Sequence, residues 1–250
     1  MGRIIRKIAH LVPNKLRSYL RTRLALLNVK LINSKIISFS QAGEDYNIRN
    51  IFREKKNGFY VDIGAFHPMM LSNTFYFYLF ENWRGINIDP RPDCMKFFNT
   101  LRPRDINLEF AVSSEKKLLT YYIIDELNAM NTFSKEFLEK NHLMSSIEKT
   151  VSIQALPLAE ILDEYLPTGQ IIDFINIDAE GMDIDILKSN NWQKYRPKLL
   201  LIESDGDSLE ELTKSEVAIY MDSLNYQPKV ITYLNNKQKN VIYFDNNILF

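Results

Sequence analysis

Four carboxylates stand at or near the ends of short apolar runs: Asp62, Asp89, Asp178 and Glu203. Runs of this kind read as strands buried in a parallel sheet. In an open α/β sheet, ligands bind in the crevice outside the carboxyl ends of the strands. One acid in such a place is common. Four converging on one sheet edge are hard to explain by folding alone, because buried charges are costly unless paired or liganded. Gly64 follows Asp62 by two residues and lets the backbone turn sharply, or approach a ligand without a Cβ in the way. An acid closing the second strand, as Asp89 does, can grip ribose hydroxyls. A dinucleotide fingerprint would need further glycines where Phe66 and Met69 stand. Their absence argues against a pyrophosphate pressed to this turn and leaves room for a nucleoside ligand without phosphate. The competing reading is a plain βαβ unit in which the acid and the glycine only cap and turn.

The elements that must hold these residues follow from hydrophobic pattern and punctuation. A strand over 59–63 leads through Gly64 into a crossover helix begun by Ser72-Asn73-Thr74, whose aromatic residues over 75–78 suit sheet packing better than base stacking. The second strand spans 86–88, and a helix opens near Pro92 with Met95, Phe97 and Phe98 on its apolar face. Strands are expected at 106–112, 118–124 and 150–153, the last followed by a helix over 157–165. The central buried strand covers 171–177, and the next one 198–202. A helix over 209–224 precedes a terminal hairpin, 230–233 with 241–244. An antiparallel hairpin closing an otherwise parallel sheet is absent from plain dinucleotide folds. Between 125 and 150 the chain is irregular and polar, which suits a lid or acceptor-recognition loop, or equally a surface helix over 134–141 with no role. Upstream, Ser40 is a candidate N-cap, with Glu44 and Asp45 in the first turn of a helix carrying Tyr46, Ile48, Ile51 and Phe52.

The 250 residues suit one large α/β domain, and a hydrophobic content of 46% supplies a sizeable core. Cys94 is the only cysteine, which excludes an internal disulfide or a zinc cluster and is compatible with a reducing, cytoplasmic compartment. Charge is unevenly spread. Residues 1–43 hold nine Lys and Arg and no acid, leaving 22 basic against 31 acidic side chains in the rest. The segment 1–37 therefore reads as a basic helical extension, with Leu16, Leu20, Leu24, Leu27 and Leu31 at helical spacing. It is too interrupted by charge for a membrane span or a secretory signal. Two readings compete: 1–35 lies on an anionic membrane surface, peripheral at its inner face, or it packs on its own domain or on a twin in a homo-oligomer. Nucleic acid is disfavoured, since the basic stretch lacks interleaved aromatics.

In order and spacing, the strings Ser-Gln-Ala-Gly-Glu-Asp, Gly-Phe-Tyr-Val-Asp-Ile-Gly-Ala, Ser-Asn-Thr, Trp-Arg-Gly-Ile-Asn-Ile-Asp-Pro and Phe-Ile-Asn-Ile-Asp-Ala-Glu-Gly-Met-Asp resemble the FkbM-type methyltransferases over about residues 38–245. The resemblance implies a class I, Rossmann-like methyltransferase domain over 38–250: a seven-stranded, mostly parallel sheet with a reversed C-terminal strand. It implies S-adenosylmethionine as cofactor and methyl transfer, usually to oxygen, on sugars or natural-product scaffolds. By position, Asp62, Gly64 and Ala65 would line its methionine part. Asp89 and Pro90 would hold the ribose, and 109–112, including Ala111 and Val112, would flank the adenine. Ser40, Gln41 and Glu44 gain a second reading as a cofactor lip beside the capping one. Phe66-His67-Pro68 stands where the family often has a further glycine.

Methyl transfer to a sugar hydroxyl needs in-line positioning and a base or a metal to take the proton. Asp178, ending the central strand, is the first candidate base; its other reading is a cofactor contact or a helix cap. His67 is the second, since an imidazole titrates near neutrality. Glu180 and Glu203 could join Asp178 in an oxygen-only divalent site suited to Mg²⁺. The expectation is an O-methyltransferase acting on a carbohydrate or glycolipid of a surface glycan. The alternatives are a catalytically silent scaffold in a glycan-assembly complex, or another nucleotide-using sugar enzyme.

Overall fold

The structure is a computed structural model that describes residues 37–248 except 54, 126–130, 180, 207, 236–237 and the side chain of 205. The basic extension over 1–35 and the candidate Glu180 lie outside the described residues. In chain order the first elements are α1 (Glu44–Phe52), β1 (Phe59–Ile63), α2 (Phe75–Phe80), β2 (Arg84–Ile88) and α3 (Cys94–Leu101). There follow β3 (Ile106–Leu108), β4 (Ala111–Val112), β5 (Lys117–Ile123), α4 (Lys135–Lys140), β6 (Lys149–Leu156), α5 (Leu158–Tyr165) and β7 (Phe174–Ile177). The chain closes with α6 (Asp183–Lys188), β8 (Leu199–Asp205), α7 (Leu209–Lys214), α8 (Glu216–Ser223), β9 (Tyr226–Tyr233) and β10 (Gln238–Asp245).

Seven strands make one sheet in the order β3-β2-β1-β7-β8-β10-β9. The first five run parallel, and β10 lies antiparallel between β8 and β9. The chain starts at the middle of this order, builds outward through β2 and β3, then returns to β1's other side with β7. That reversal at β1 and β7 opens the crevice in which such sheets bind ligands. The fold is thus the expected α/β one, a mostly parallel seven-stranded sheet closed by an antiparallel hairpin. Pro228 sits on edge strand β9, beside a bulge between Ile242 and Tyr243, where a missing N–H is tolerated.

Alternation along the strands divides the core between the two faces of the sheet. Tyr60, Phe174, Leu199, Leu201 and Ile242 pack on one face with Phe77 and Trp83. The aromatic density of α2 is accounted for there: Phe77 lies 4.9 Å from Trp83 and 5.4 Å from Phe174 between ring centroids. Val61, Ile63, Ile86, Ile88, Ile175, Ile177, Leu200 and Ile202 face the other way. Each large side chain so buried stabilises by roughly 1.5–3 kcal/mol.

Several boundaries differ from the sequence reading, and four of the differences have an identifiable physical reason. The apolar run over 171–177 pairs only from Phe174, because Asp173 spends its carboxylate on Phe59 N–H (3.1 Å) and Lys55 (2.5 Å), stapling β7 to β1. The strand expected over 106–112 divides. β3 stays in the main sheet, while β4 joins β6 and β5 in a separate three-stranded sheet, order β4-β6-β5. The helix expected over 209–224 breaks at Ser215, whose hydroxyl accepts from Ala218 N–H and starts α8 afresh. Ser40 is not the N-cap of α1. Gly43 holds that position at φ 84°, and the Ser40 hydroxyl donates to Asp45 at 2.9 Å.

Candidate active site

A cavity of about 780 Å³ opens at the carboxyl ends of β1, β2, β7 and β8. It is lined by Asp62, Gly64, Ala65, Asp89, Pro90, Ala111, Val112, Asp178, Glu203 and Gln41, so most of the predicted residues are brought together. The turn after β1 is held by its neighbours: the N–H groups of Gly64 and Ala65 both donate to the Ile88 carbonyl, at 3.0 and 3.1 Å. Gly64 has φ 75°, and a Cβ there would stand 1.7 Å from the Asp178 carbonyl oxygen. No other residue type fits both the dihedral and the space.

Beneath the cavity runs a buried polar network. Arg102, with no solvent exposure, donates to Asp105 (2.8 Å), to the Tyr60 hydroxyl (2.6 Å) and to Thr74 Oγ1 (3.0 Å). Thr74 in turn donates to Asp62 Oδ2 at 2.6 Å, and Asn176 Nδ2 donates to Asp62 Oδ1 at 2.8 Å. Burial raises the Asp62 carboxyl, opposed by the Arg102 charge and these two hydrogen bonds. Asp62 is therefore gripped from both sides before any ligand arrives. Asn73, also on the cavity wall, donates through Nδ2 to Asn176 Oδ1 at 3.0 Å, while its own Oδ1 is buried without a partner among the described residues.

Asp89 is likewise engaged. Its Oδ2 accepts from Phe66 N–H at 2.8 Å, and its Oδ1 from the backbone N–H and the Nε of Arg91, at 2.9 and 3.0 Å. The Arg91 guanidinium also donates to the Phe66 carbonyl and lies 4.6 Å from that ring's centroid. Arg91 thus closes the loop over 64–71, where both Phe66 and Leu71 hold positive φ (48° and 53°), a strain that bulky residues rarely adopt. His67 braces the same loop. Its Nδ1 accepts from the N–H groups of Met69 and Met70, at 3.1 and 3.0 Å, and its ring packs edge-on to Phe97. Burial, aided by the Arg91 charge, holds its pKa down to about 4, so the imidazole is neutral with its proton on Nε2. His67 is not among the residues lining the cavity.

Just past the end of β7, Asp178 is hydrogen-bonded to Glu203, two residues before the end of β8. Burial raises the Asp178 carboxyl, and the charges of Asp62 and Glu44 push it the same way against that hydrogen bond. Two acids in contact share a proton and titrate as a pair. Asp183, at the start of α6, accepts the Ala179 N–H at 3.1 Å and so closes the loop that follows Asp178. Burial pushes its pKa up to about 6. Among the described residues, no group of three His, Cys, Asp or Glu side chains is placed to hold a metal ion.

The predicted lip divides. Gln41 lines the cavity. Glu44 instead ties α1 to the hairpin, its Oε1 accepting from Thr232 (2.6 Å) and Asn240 (3.0 Å) and its Oε2 from Ala42 N–H (2.8 Å). Burial raises its carboxyl, but these bonds outweigh it and the net shift is downward. The irregular stretch after 125 contributes Asn131, Thr132, Phe133, Phe137, Lys140 and Asn141 to the cavity wall. From the sequence, Arg91, Asn176 and Asp183 carry no assigned role, and Asn73 only that of helping to start the crossover helix. The last three lay in plain view, within the Ser-Asn-Thr and Ile-Asn-Ile-Asp-Ala-Glu-Gly-Met-Asp strings.

Residues 62–237 match the family described as the methyltransferase FkbM domain, well over half of the chain. No curated protein matches the chain in sequence. Among solved structures, the chain is similar to Aeropyrum pernix fibrillarin in complex with natively bound S-adenosyl-L-methionine (9% identity, TM-score 0.42, covering 76% of this chain and 67% of that one). It is also similar to precorrin-6y C5,15-methyltransferase from Geobacter metallireducens (14%, TM-score 0.41, 81% and 87%). A TehB-like SAM-dependent methyltransferase from Corynebacterium glutamicum is a further likeness (10%, TM-score 0.40, 94% and 100%).

Proposed function

The chain belongs to the FkbM methyltransferase family, and from that premise we propose that it moves the methyl group of S-adenosylmethionine onto a hydroxyl oxygen of a carbohydrate. The observation that carries this reading is the hydrogen-bonded pair of Asp178 and Glu203, set on the cavity beside the Gly64 turn.

The residues present fit the cofactor. Ile88, Pro90, Phe110, Ala111 and Val112 give an apolar wall for the adenine, and beside it Asp89, its carboxylate already shared by Phe66 N–H and Arg91, stands where the ribose hydroxyls would join them. Gly64 keeps the turn free of a Cβ beside the Asp178 carbonyl, and Asn73 Oδ1, without a partner among the described residues, offers an acceptor. When bound, S-adenosylmethionine supplies a methyl group activated by its sulfonium charge.

The protein's own share is to align the acceptor and to take its proton. Asp178, its carboxyl raised from the ordinary value by burial, is a stronger base than a solvated aspartate and accepts the hydroxyl proton as the oxygen attacks. Glu203 steadies the ionised form through the hydrogen bond between them. Gln41, Asn235, Gln238 and Glu211 line the same cavity, and amides with carboxylates suit a hydroxyl-rich acceptor. His67 serves by bracing the loop and Glu44 by fixing the hairpin. Incubation with methyl-labelled S-adenosylmethionine and a panel of sugars, nucleotide sugars and glycolipids tests the assignment. Label in a base-stable ether on sugar is expected. Label in a base-labile ester, or on no carbohydrate, would overturn the acceptor class.

A further inference from the structure

The buried amide chain beneath the cavity has a direction. Asp62 takes the Asn176 amide N–H, which turns Asn176 Oδ1 toward Asn73. Asn73 must then donate with Nδ2, and its Oδ1 is left pointing away from the network. The same logic holds on the other branch: Arg102 can only donate, so the Thr74 hydroxyl it binds passes its own proton to Asp62. Asn73 is 8% exposed, lines the cavity, and its Oδ1 accepts nothing from the described residues. Leaving a buried carbonyl unpaired costs about 1–3 kcal/mol, a cost that a ligand donor would remove.

The surroundings define that donor. Asp62, Asp178 and Glu203 line the same cavity as Asn73, so carboxylates are at hand to favour a cationic donor. Aligned hydrogen bonds polarise one another, and here they run from Asn73 through Asn176 to an acid. That alignment carries the charge of Asp62 outward to Asn73 Oδ1. We propose that Asn73 is a cofactor-recognition residue whose Oδ1 accepts a hydrogen bond from the α-ammonium of the methyl donor. The assignment rests on the cofactor reading above. A neutral hydroxyl would satisfy the same oxygen, but it would gain nothing from these carboxylates.

The test is calorimetry on the full-length chain with three probes: S-adenosylhomocysteine, its analogue with the α-amine replaced by hydrogen, and 5′-methylthioadenosine. Wild type is expected to bind S-adenosylhomocysteine about 10- to 100-fold more tightly than the deaminated analogue. Asn73→Leu should lose that preference while binding 5′-methylthioadenosine as wild type does. Asn73→Ala, which only removes atoms, serves if the leucine variant fails to fold. An unchanged preference in the variant, or an equal loss for all three probes, overturns the role of Asn73 alone. A wild-type chain that binds none of the three overturns the cofactor reading and this assignment together.

Discussion

Gly64 and Asp178 meet backbone to side-chain position: a methyl group added at residue 64 would lie 1.7 Å from the Asp178 carbonyl oxygen. The turn that ends β1 is thereby fitted to the end of β7, and the candidate base is fixed relative to the cofactor loop by packing rather than by a side-chain bond.

Gly64→Ala should therefore cost stability as well as ligand binding. The positive φ and the overlap together are expected to destabilise by about 2–5 kcal/mol. Gly43 provides the control, because it also has positive φ (84°) but no atom of the described residues within 4 Å of an added Cβ, and should lose about 1 kcal/mol. Urea denaturation midpoints compare them, and equal losses would remove the Asp178 contact as the cause.

His67 makes folding acid-sensitive. Its neutral ring is the folded form, with a pKa held near 4 against an ordinary 6.5, so the unfolded chain binds the proton first as pH falls. Stability from this group is full above 6.5, declines as pH drops to about 4 and is level below, a total of about 3 kcal/mol. His67→Asn, whose Oδ1 can accept the same N–H groups, should flatten that slope in denaturant titrations. An unchanged slope would mean another group carries it.

Asp183 acts in the opposite sense. Its pKa of about 6 lies above the ordinary value of 3.8, so the folded state holds a proton that the unfolded state has lost. Stability then falls as pH rises through that interval, and the buried charge is a burden at neutral pH. Asp183→Asn keeps an oxygen for the Ala179 N–H and should gain about 1–3 kcal/mol at pH 7.5, with no gain at pH 4. A loss at both values would show that the charge itself is needed at the start of α6.

Much of this arrangement could be read from the chain. The strands ending at Asp62, Asp89, Asp178 and Glu203 are short apolar runs with local punctuation, and the terminal hairpin is two such runs about a polar turn. What could not be read depends on distant partners. Ala111 and Val112 leave the main sheet only because β6, more than thirty residues later, offers them a parallel edge at Ala155 and Leu156. The grip of Arg102 on Asp62 passes through Thr74, so three residues with no common periodicity make one unit. Asp89 carries no local mark that Arg91, two residues on, folds back to occupy it. His67 drew attention as a titrating group, whereas its ring nitrogen is spent on the loop.

The Asp178–Glu203 contact gives activity a pH signature. A base must be ionised to act, so turnover is full above the pair's titration and falls as pH drops. Because burial raises the Asp178 carboxyl, that acid limb should lie to higher pH than for a solvated aspartate. Glu203→Gln leaves a permanent donor and removes an acid, so the limb in kcat/KM should move to lower pH. A limb unmoved by the substitution would separate Glu203 from the base.

The most direct measurement is single-turnover methyl transfer by wild type and Asp178→Asn at saturating S-adenosylmethionine, with S-adenosylhomocysteine affinity measured on both. The account predicts a rate lower by about 10²–10⁴-fold and a cofactor affinity nearly unchanged. A variant that transfers at the wild-type rate, or one whose slowing is matched by lost affinity, would contradict Asp178 as the proton acceptor.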